Sequence, residues 1–217
     1  DRRKSRGLGD VYKRQVQEDS LKEGNVRNLK SIVLQPRFLQ AITAAAFAYA
    51  VMSFLMTATP LSMHVMENMS LKETGLVLQF HVVAMFLPSL ITGNLIKKYG
   101  HSAIIYGGVL FFFITVLLSL FEQTYLNYML SLIFLGLGWN FLFISGTSLV
   151  VLTYNKEEKF KVQGINDLIV FSTMALASLS AGILLNSIGW KMMNIICIPF
   201  LILIILVSFV ADKKSVS

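Results

Sequence analysis

The feature that most constrains this 217-residue chain is a set of six long stretches without Asp, Glu, Lys or Arg. They cover residues 38–66, 74–96, 99–121, 123–155, 168–190 and 192–211. Each reaches the length of about 20 residues that an α-helix needs to cross about 30 Å of hydrocarbon. Because lipid offers the backbone no hydrogen-bonding partner, helices are favoured there over open strands. The sequence therefore predicts an all-α membrane protein with six transmembrane helices, here called helices one to six.

The composition excludes several other classes of protein. Only 14% of the residues are charged and 55% are hydrophobic, whereas a soluble domain carries about a quarter charged residues. The net charge is +7, but residues 1–15 hold six Lys/Arg against two Asp and so contribute +4 of it. No basic face alternates with aromatic residues, so we exclude nucleic-acid binding. Cys197 is the single cysteine of the sequence, which excludes a disulfide framework within it.

The sequence divides into four segments. Residues 1–15, DRRKSRGLGDVYKRQ, resemble translated adapter sequence of a metagenomic assembly, and they lack the apolar core of a secretory signal peptide. We predict that this stretch is non-native and that the natural gene extends upstream. A genuine basic tail is the alternative. Residues 16–37 are predicted to be a cytoplasmic lead-in, residues 38–211 the six-helix bundle, and residues 212–217 a cytoplasmic tail.

The positions of the basic residues predict the orientation of the bundle, because cytoplasmic loops carry an excess of Lys and Arg. If both termini are cytoplasmic, the basic residues after position 15 on that side are Lys22, Arg27, Lys30, Arg37, Lys97, Lys98, Lys156, Lys159, Lys161, Lys213 and Lys214. The opposite side then holds Lys72 and Lys191. We therefore expect a multi-pass membrane protein with both termini in the cytoplasm.

The predicted helices fall into two groups by their polar content. Helices three and six are nearly uniform in bulky apolar residues, whereas helices one, two, four and five carry polar and small residues deep in the span. Polar groups avoid lipid unless a partner or water satisfies them. We therefore expect helices three and six to face lipid and the other four helices to surround a half-cavity.

The turn GNLIKKYGHS, residues 93–102, resembles a degenerate copy of the loop signature G-x-L-x-D-R-x-G-R-K of the major facilitator superfamily. The positions that match or nearly match are Gly93, Leu95, Lys98 and Gly100. The blocks MTATPLSMHV, HVVAMFLPSLITG, LGLGWNFLFISGTSL and KVQGINDLIVFSTMALASLSAG are also similar to one bacterial branch of that superfamily. The resemblance covers about residues 28–211. Because the loop departs from the full signature, as the second copy in the family does, the six helices are identified with helices seven to twelve of the family.

The resemblance implies a secondary transporter for a small organic solute, built from two six-helix bundles that hold the substrate near mid-membrane. It implies a location in the bacterial inner membrane, alternating access and a missing N-terminal six-helix half. The branch includes vitamin permeases such as riboflavin importers, while drug efflux proteins share the fold. Lys97 replaces the acidic residue of the family loop, so its gating ion pair is not carried over. The alternative is a stand-alone six-helix protein that acts as a homodimeric channel or partner-binding scaffold.

Polar residues inside helices one, two, four and five are the candidate substrate contacts. Helix one carries a stripe at steps of three or four residues, which places its members on one face. The stripe consists of Tyr49, Ser53, Thr57, Pro60 and His64. The predicted substrate-binding residues are Ser53, Thr57, Gln79, Trp139, Asn140 and Thr173.

Each of these assignments has a structural alternative. Ser and Thr side chains bond back to their own helix or pack between helices. The Asn140 amide, near the middle of helix four, needs a partner in hydrocarbon, and this partner is either the ligand or a group on helix one or five. A histidine such as His81 is either a packing residue or a proton carrier, because its pKa is near neutral.

Loop residues form a second set of candidates. The predicted gating and loop residues are Gly93, Lys97, Lys98, Gly100, Asn166 and Asp167. The glycines are expected to permit a close turn with positive φ. For Asn166 and Asp167, capping of the start of helix five is the alternative to gating. The sequence contains no catalytic, nucleotide-binding or metal motif, so we predict a non-enzymatic protein without a cofactor.

The predicted orientation is testable by cysteine labelling in intact cells. Lys97→Cys and Lys159→Cys should resist a membrane-impermeant thiol reagent, because both positions are expected on the cytoplasmic side. Lys72→Cys and Glu122→Cys should react, since they are expected outside. The reverse labelling pattern would overturn the orientation.

Overall fold

The computed structural model describes residues 27–216, and the regular structure in this part is helical throughout. Residues 1–15, the first half of the predicted lead-in and Ser217 lie outside the described residues, so their assignment stays a prediction. The α-helices are α1 (Leu29–Val33), α2 (Pro36–Pro60), α3 (Leu71–Phe86), α4 (Ser89–Tyr99), α5 (His101–Ser119), α6 (Tyr125–Val151), α7 (Lys159–Ile196) and α8 (Ile198–Val216). A π-helix (Leu61–Met66) extends α2, and a 3-10 turn (Lys156–Glu158) precedes α7.

Within the described residues, four helical segments are long and apolar enough to cross a membrane, or five if the bent pair α3 and α4 forms one span. This agrees with an all-α membrane protein. The last of these segments, Lys156–Lys214, contains 59 residues. It is interrupted at Gly189, whose φ of 75° and ψ of 169° are not helical. Glycine adopts such a positive φ without the steric cost that a side chain adds.

The helices begin and end where local sequence signals direct them. Pro36 occupies the first turn of α2, where its missing N–H has no intrahelical partner to lose. Ser70 and Glu73 form a reciprocal capping box at the start of α3. Pro60 is followed by π-helical turns in which the Glu67 N–H donates to the Ser62 carbonyl at 3.0 Å.

The helices pack in two layers. The first layer contains α3, α6, α2 and α7 in that order, and α5 and α8 lie behind it against α6 and α2. The expected grouping of helices one, two, four and five is therefore present. Small residues allow α6 and α2 to pack closely, since a Cβ on Gly146 of α6 would lie 2.7 Å from the Ala41 carbonyl oxygen of α2.

A polar network joins three helix ends at the side of the bundle that carries the start of α2. Arg37 Nη1 donates to Asp212 Oδ1 at 2.8 Å, and Ser102 Oγ donates to the same oxygen at 2.5 Å. Gln40 Nε2 donates to Ser102 Oγ at 2.9 Å. The network therefore ties the starts of α2 and α5 to the end of α8.

The turn at residues 93–102 differs in part from the prediction. Gly100 separates α4 from α5 with a φ of 84°, so it supplies the expected positive φ. Gly93, however, lies inside α4 and is exposed, so it does not frame the turn. Lys97 and Lys98 lie in the last turn of α4, where cations interact favourably with the helix dipole.

The close approach of α6 to α2 predicts the stability of a matched pair of glycine variants. Gly146→Ala should lower the thermal midpoint of the purified protein, because the new methyl group meets rigid backbone and overpacking costs about 1–3 kcal/mol. Gly164→Ala on α7 should not lower the midpoint, because no atom lies within 4 Å of the added Cβ. Equal midpoints for the two variants would contradict the packing of α2 on α6.

Candidate functional site

An aromatic cluster lies at the centre of the four-helix layer, and each helix of the layer contributes to it. Tyr49 of α2 makes edge contacts with Trp139, Phe143 and Phe171, at centroid distances of 5.2, 5.0 and 6.0 Å. Trp139 and Phe143, one helical turn apart on α6, are stacked at 4.9 Å. Phe86 at the end of α3 meets Trp139 at 5.9 Å. These five side chains are called the aromatic cluster below.

The aromatic cluster is open on one side. Phe86 and Phe171 are 59% and 49% exposed, whereas Trp139 is only 4% exposed and forms the floor. The Tyr49 hydroxyl has no hydrogen bond to the described residues, and Trp139 Nε1 is a buried donor without a partner among them. The cluster therefore combines accessible aromatic faces with hydrogen-bonding capacity that the described protein leaves unused.

The predicted stripe of helix one lies along the accessible side of α2. Ser53 is half-buried and Thr57 is exposed, and Thr57 Oγ1 lies 3.0 Å from Ser178 Oγ of α7. Gln79 is exposed on α3 and lies on the same helix face as Phe86. The structure thus leaves Ser53 and Thr57 of α2 and Gln79 of α3 at least partly accessible.

Thr173 lies in a different place from the one predicted. Its hydroxyl donates to the Ile169 and Val170 carbonyls of its own helix. It lines a groove of about 380 Å³ between α2, α7 and α8, whose walls include Phe54 and Phe200. Phe171, two residues earlier, is the α7 residue in the aromatic cluster.

Asn140 also differs from the prediction, because its amide bonds to helix two rather than to helix one or five. Nδ2 donates to the Met85 carbonyl at 2.6 Å and to Ser89 Oγ at 2.7 Å, and Oδ1 accepts from Thr92 Oγ1 at 2.6 Å. The residue is fully buried. Its hydrogen-bonding groups are therefore occupied by the protein, and it does not offer them to a ligand.

The remaining candidates lie away from the aromatic cluster. Asn166 and Asp167 are seven and eight residues into α7, which begins at Lys159, so they do not cap it. Asn166 Nδ2 donates to Asp167 Oδ1 at 3.0 Å. His81 is fully buried, and its Nδ1 lies 2.7 Å from the Leu132 carbonyl oxygen, which is consistent with the packing alternative. Lys97 is exposed at the end of α4.

In the part of the chain that the structure describes, no group of three His, Cys, Asp or Glu residues could hold a metal ion. The predicted substrate-binding residues do not include Phe86, Phe143 and Phe171, because polarity does not single out phenylalanine. The signal that could have found two of them is their helical spacing from Gln79 and Trp139.

Comparison with known proteins agrees with this architecture. The family model of the Major Facilitator Superfamily matches residues 20–217. The chain belongs to the major facilitator superfamily. Superfamily relatives include the riboflavin transporter RfnT of Brucella anthropi, 39% identical over 179 residues, which are 82% of this chain and 45% of the relative. Two uncharacterized MFS-type transporters of Bacillus subtilis, YdeG and YddS, are each 30% identical and cover 71% and 68% of this chain.

The chain spans less than half the length of these superfamily relatives. The aligned regions amount to 45%, 36% and 34% of RfnT, YdeG and YddS. All three relatives are named as transporters.

The structure predicts that the exposed members of the aromatic cluster face water, whereas exposed apolar residues of α5 face lipid. In the full-length protein, Phe86→Cys and Phe171→Cys should react with a water-soluble, charged methanethiosulfonate, because thiolates form only where water reaches them. Leu110→Cys on α5 is the matched control, since Leu110 and Phe86 are equally exposed at 59%, and it should react slowly. Similar rates at all three positions would mean that the aromatic cluster faces lipid.

Proposed function

We propose that this chain is the C-terminal half of a secondary transporter that moves a planar aromatic solute, such as riboflavin, across the bacterial inner membrane by alternating access. The observation that carries the proposal is the aromatic cluster, to which all four helices of the first layer contribute. The second support is the similarity to a relative named as a riboflavin transporter.

The chemistry of the aromatic cluster suits a flat ring system. Aromatic rings attract one another in offset-stacked or edge-on arrangements at centroid distances of about 4.5–7 Å, and Phe86 and Phe171 offer accessible faces on either side of Trp139. Riboflavin combines a planar three-ring system with a hydroxylated chain. We assign the ring to the aromatic cluster and the chain to the polar residues Ser53, Thr57 and Gln79, with the Tyr49 hydroxyl as a hydrogen-bonding group at their junction.

We propose six transmembrane spans in this chain, arranged as two three-helix units. A straight helix of 59 residues would be about 88 Å long, twice the thickness of a bilayer with its headgroups, so a break at Gly189 is needed to return the chain through the membrane. Gly100, with φ 84° and ψ 162°, has nearly the same backbone conformation as Gly189. One glycine follows the second proposed span and the other follows the fifth, which supports the division.

We propose that a second six-helix bundle faces the aromatic cluster and completes the substrate site. Half of the site would then come from that bundle, and rocking of the two bundles would expose the site to each side in turn. The lengths of the relatives support a missing half. Reading the gene upstream tests it, because a stop codon directly before residue 16 would favour a stand-alone homodimer instead.

Riboflavin uptake by a riboflavin-auxotrophic host that expresses the full-length gene tests the proposed substrate. Growth at low riboflavin and uptake of the labelled vitamin are the expected results. Absence of uptake and of competition by riboflavin, with the protein present in the membrane, would exclude riboflavin as the substrate.

A matched pair of variants tests the aromatic cluster itself. Phe143→Leu should raise KM for riboflavin about fivefold, because one stacking contact is worth about 1 kcal/mol. Phe141→Leu, two residues away on α6, should leave KM unchanged, since Phe141 packs against Phe111 outside the aromatic cluster. Equal KM values for the two variants would place the substrate elsewhere.

A further inference from the structure

Helix two of the bundle is broken near its middle. α3 ends at Phe86 and α4 begins at Ser89, and the two helices form a bent pair with an angle of 40°. Pro88 at the break has no N–H, so it cannot donate to the Ala84 carbonyl four residues earlier. A break of this kind leaves carbonyl groups without helical partners, which is costly at membrane depth unless another group satisfies them.

The Asn140 amide bridges the two sides of this break. Nδ2 donates to the Met85 carbonyl oxygen, one residue before the end of α3, and also to Ser89 Oγ, the first residue of α4. Oδ1 accepts from Thr92 Oγ1, one turn further along α4. Thr92 Oγ1 also lies 2.8 Å from the Pro88 carbonyl oxygen. One buried side chain is thus bonded to both halves of the broken helix.

The approach that makes these bonds possible depends on Gly136, one turn before Asn140 on α6. A Cβ at Gly136 would lie 2.7 Å from the His81 carbonyl oxygen and 2.9 Å from the Ala84 Cβ. The backbones of α3 and α6 are therefore in contact next to the break. A larger residue at this position would hold α3 out of reach of the Asn140 amide.

The break is also adjacent to the aromatic cluster. Phe86 is the last residue of α3, and its ring contacts Trp139, the residue that precedes Asn140. Two consecutive residues of α6 therefore contact helix two at the break. Trp139 contacts the ring of Phe86, and Asn140 bonds to the Met85 carbonyl. A change in the bend that moves the end of α3 would therefore move Phe86 relative to Trp139.

We infer that Asn140 is a positioning residue, which fixes the bend between α3 and α4 and thereby sets the distance between Phe86 and Trp139 in the substrate site. Its effect on transport rests on the proposed function above, whereas its effect on the bend does not. Asn140 acts on the substrate through Phe86 and does not touch it. A serine or threonine at position 140 could not replace the amide, because one hydroxyl cannot donate twice.

The bend is tested directly by measuring the distance between spin labels on either side of the break. Gln79 and Lys97 are both exposed, so Gln79→Cys and Lys97→Cys can carry labels in a background without other accessible cysteines. Asn140→Ala should broaden and shift the distance distribution in the full-length protein, because Met85, Ser89 and Thr92 lose their common partner. Asn140→Asp should give an intermediate result, since a neutral carboxyl group keeps an acceptor for Thr92 but has one O–H and cannot donate to both Met85 and Ser89.

The matched control removes a buried interhelical bond elsewhere in the bundle. Thr115 Oγ1 of α5 donates to the Ser131 carbonyl of α6 at 3.1 Å, and Thr115→Val preserves its shape. This variant should leave the label distance unchanged. If Thr115→Val broadens the distribution as much as Asn140→Ala, or if neither variant changes it, Asn140 does not fix the bend and the inference is overturned.

Transport kinetics test the link to the site. Asn140→Ala should raise KM for riboflavin about fivefold with a maximal rate within about twofold of the parent, and so should Phe86→Ala. The double variant should be no worse than either single variant, because the two residues act through one contact. Additive losses would overturn the link to Phe86.

The role of Asn140 at the bend can also be tested if Asn140→Ala does not accumulate or if riboflavin is not the substrate. If Asn140→Ala fails to accumulate, Thr92→Val removes one bond of the amide with little change in shape, and it should shift the label distance in the same direction. An unchanged distance in Thr92→Val would then count against the inference. If the parent protein does not transport riboflavin, the proposed substrate fails, while the distance measurement still supports or overturns the role of Asn140 at the bend.

Discussion

The rest of the structure depends on one constraint: a polar group at membrane depth needs a hydrogen-bonding partner. The buried polar side chains of the bundle show how the chain meets it. Ser62 Oγ lies 2.6 Å from the Tyr128 hydroxyl, and Thr115 and Ser131 each donate to the other's backbone carbonyl. The Asn140 amide bridges the broken helix in the same way. These bonds fix which helices are neighbours, because each one joins a specific pair.

The same constraint separates the two layers of the bundle. α5 and α8 can lie at the back because their exposed side chains are apolar, as Leu110 and Leu206 are. The first layer instead presents Thr57, Gln79 and the Tyr49 hydroxyl on its open side. An open side with polar groups needs water, a second bundle or a substrate against it. The proposed function assigns all three to it at different stages of transport.

The candidate site was only partly predictable from the sequence. Trp139, a predicted substrate contact, lies in the aromatic cluster. Polarity also selects Asn140 and Thr173, and both of these side chains are directed elsewhere. Phe171 was passed over although it lies two residues from Thr173. A polar residue in a membrane helix is more often satisfied by the protein than free for a ligand, so polarity alone identifies buried bonds as readily as binding positions.

The sequence by itself determined the helical membrane class, the superfamily, the glycine turn at Gly100, and which residues share a helix face. These follow from hydropathy, from local motifs and from the fixed 100° rotation per residue of an α-helix. Only the tertiary structure decided how each helix is rotated about its own axis against its neighbours. That rotation brings the Asn140 amide to the break in helix two, and Thr173 to the groove beside α8. It depends on contacts such as Gly136 against α3, which join residues more than 50 positions apart and leave no periodic signal in the sequence.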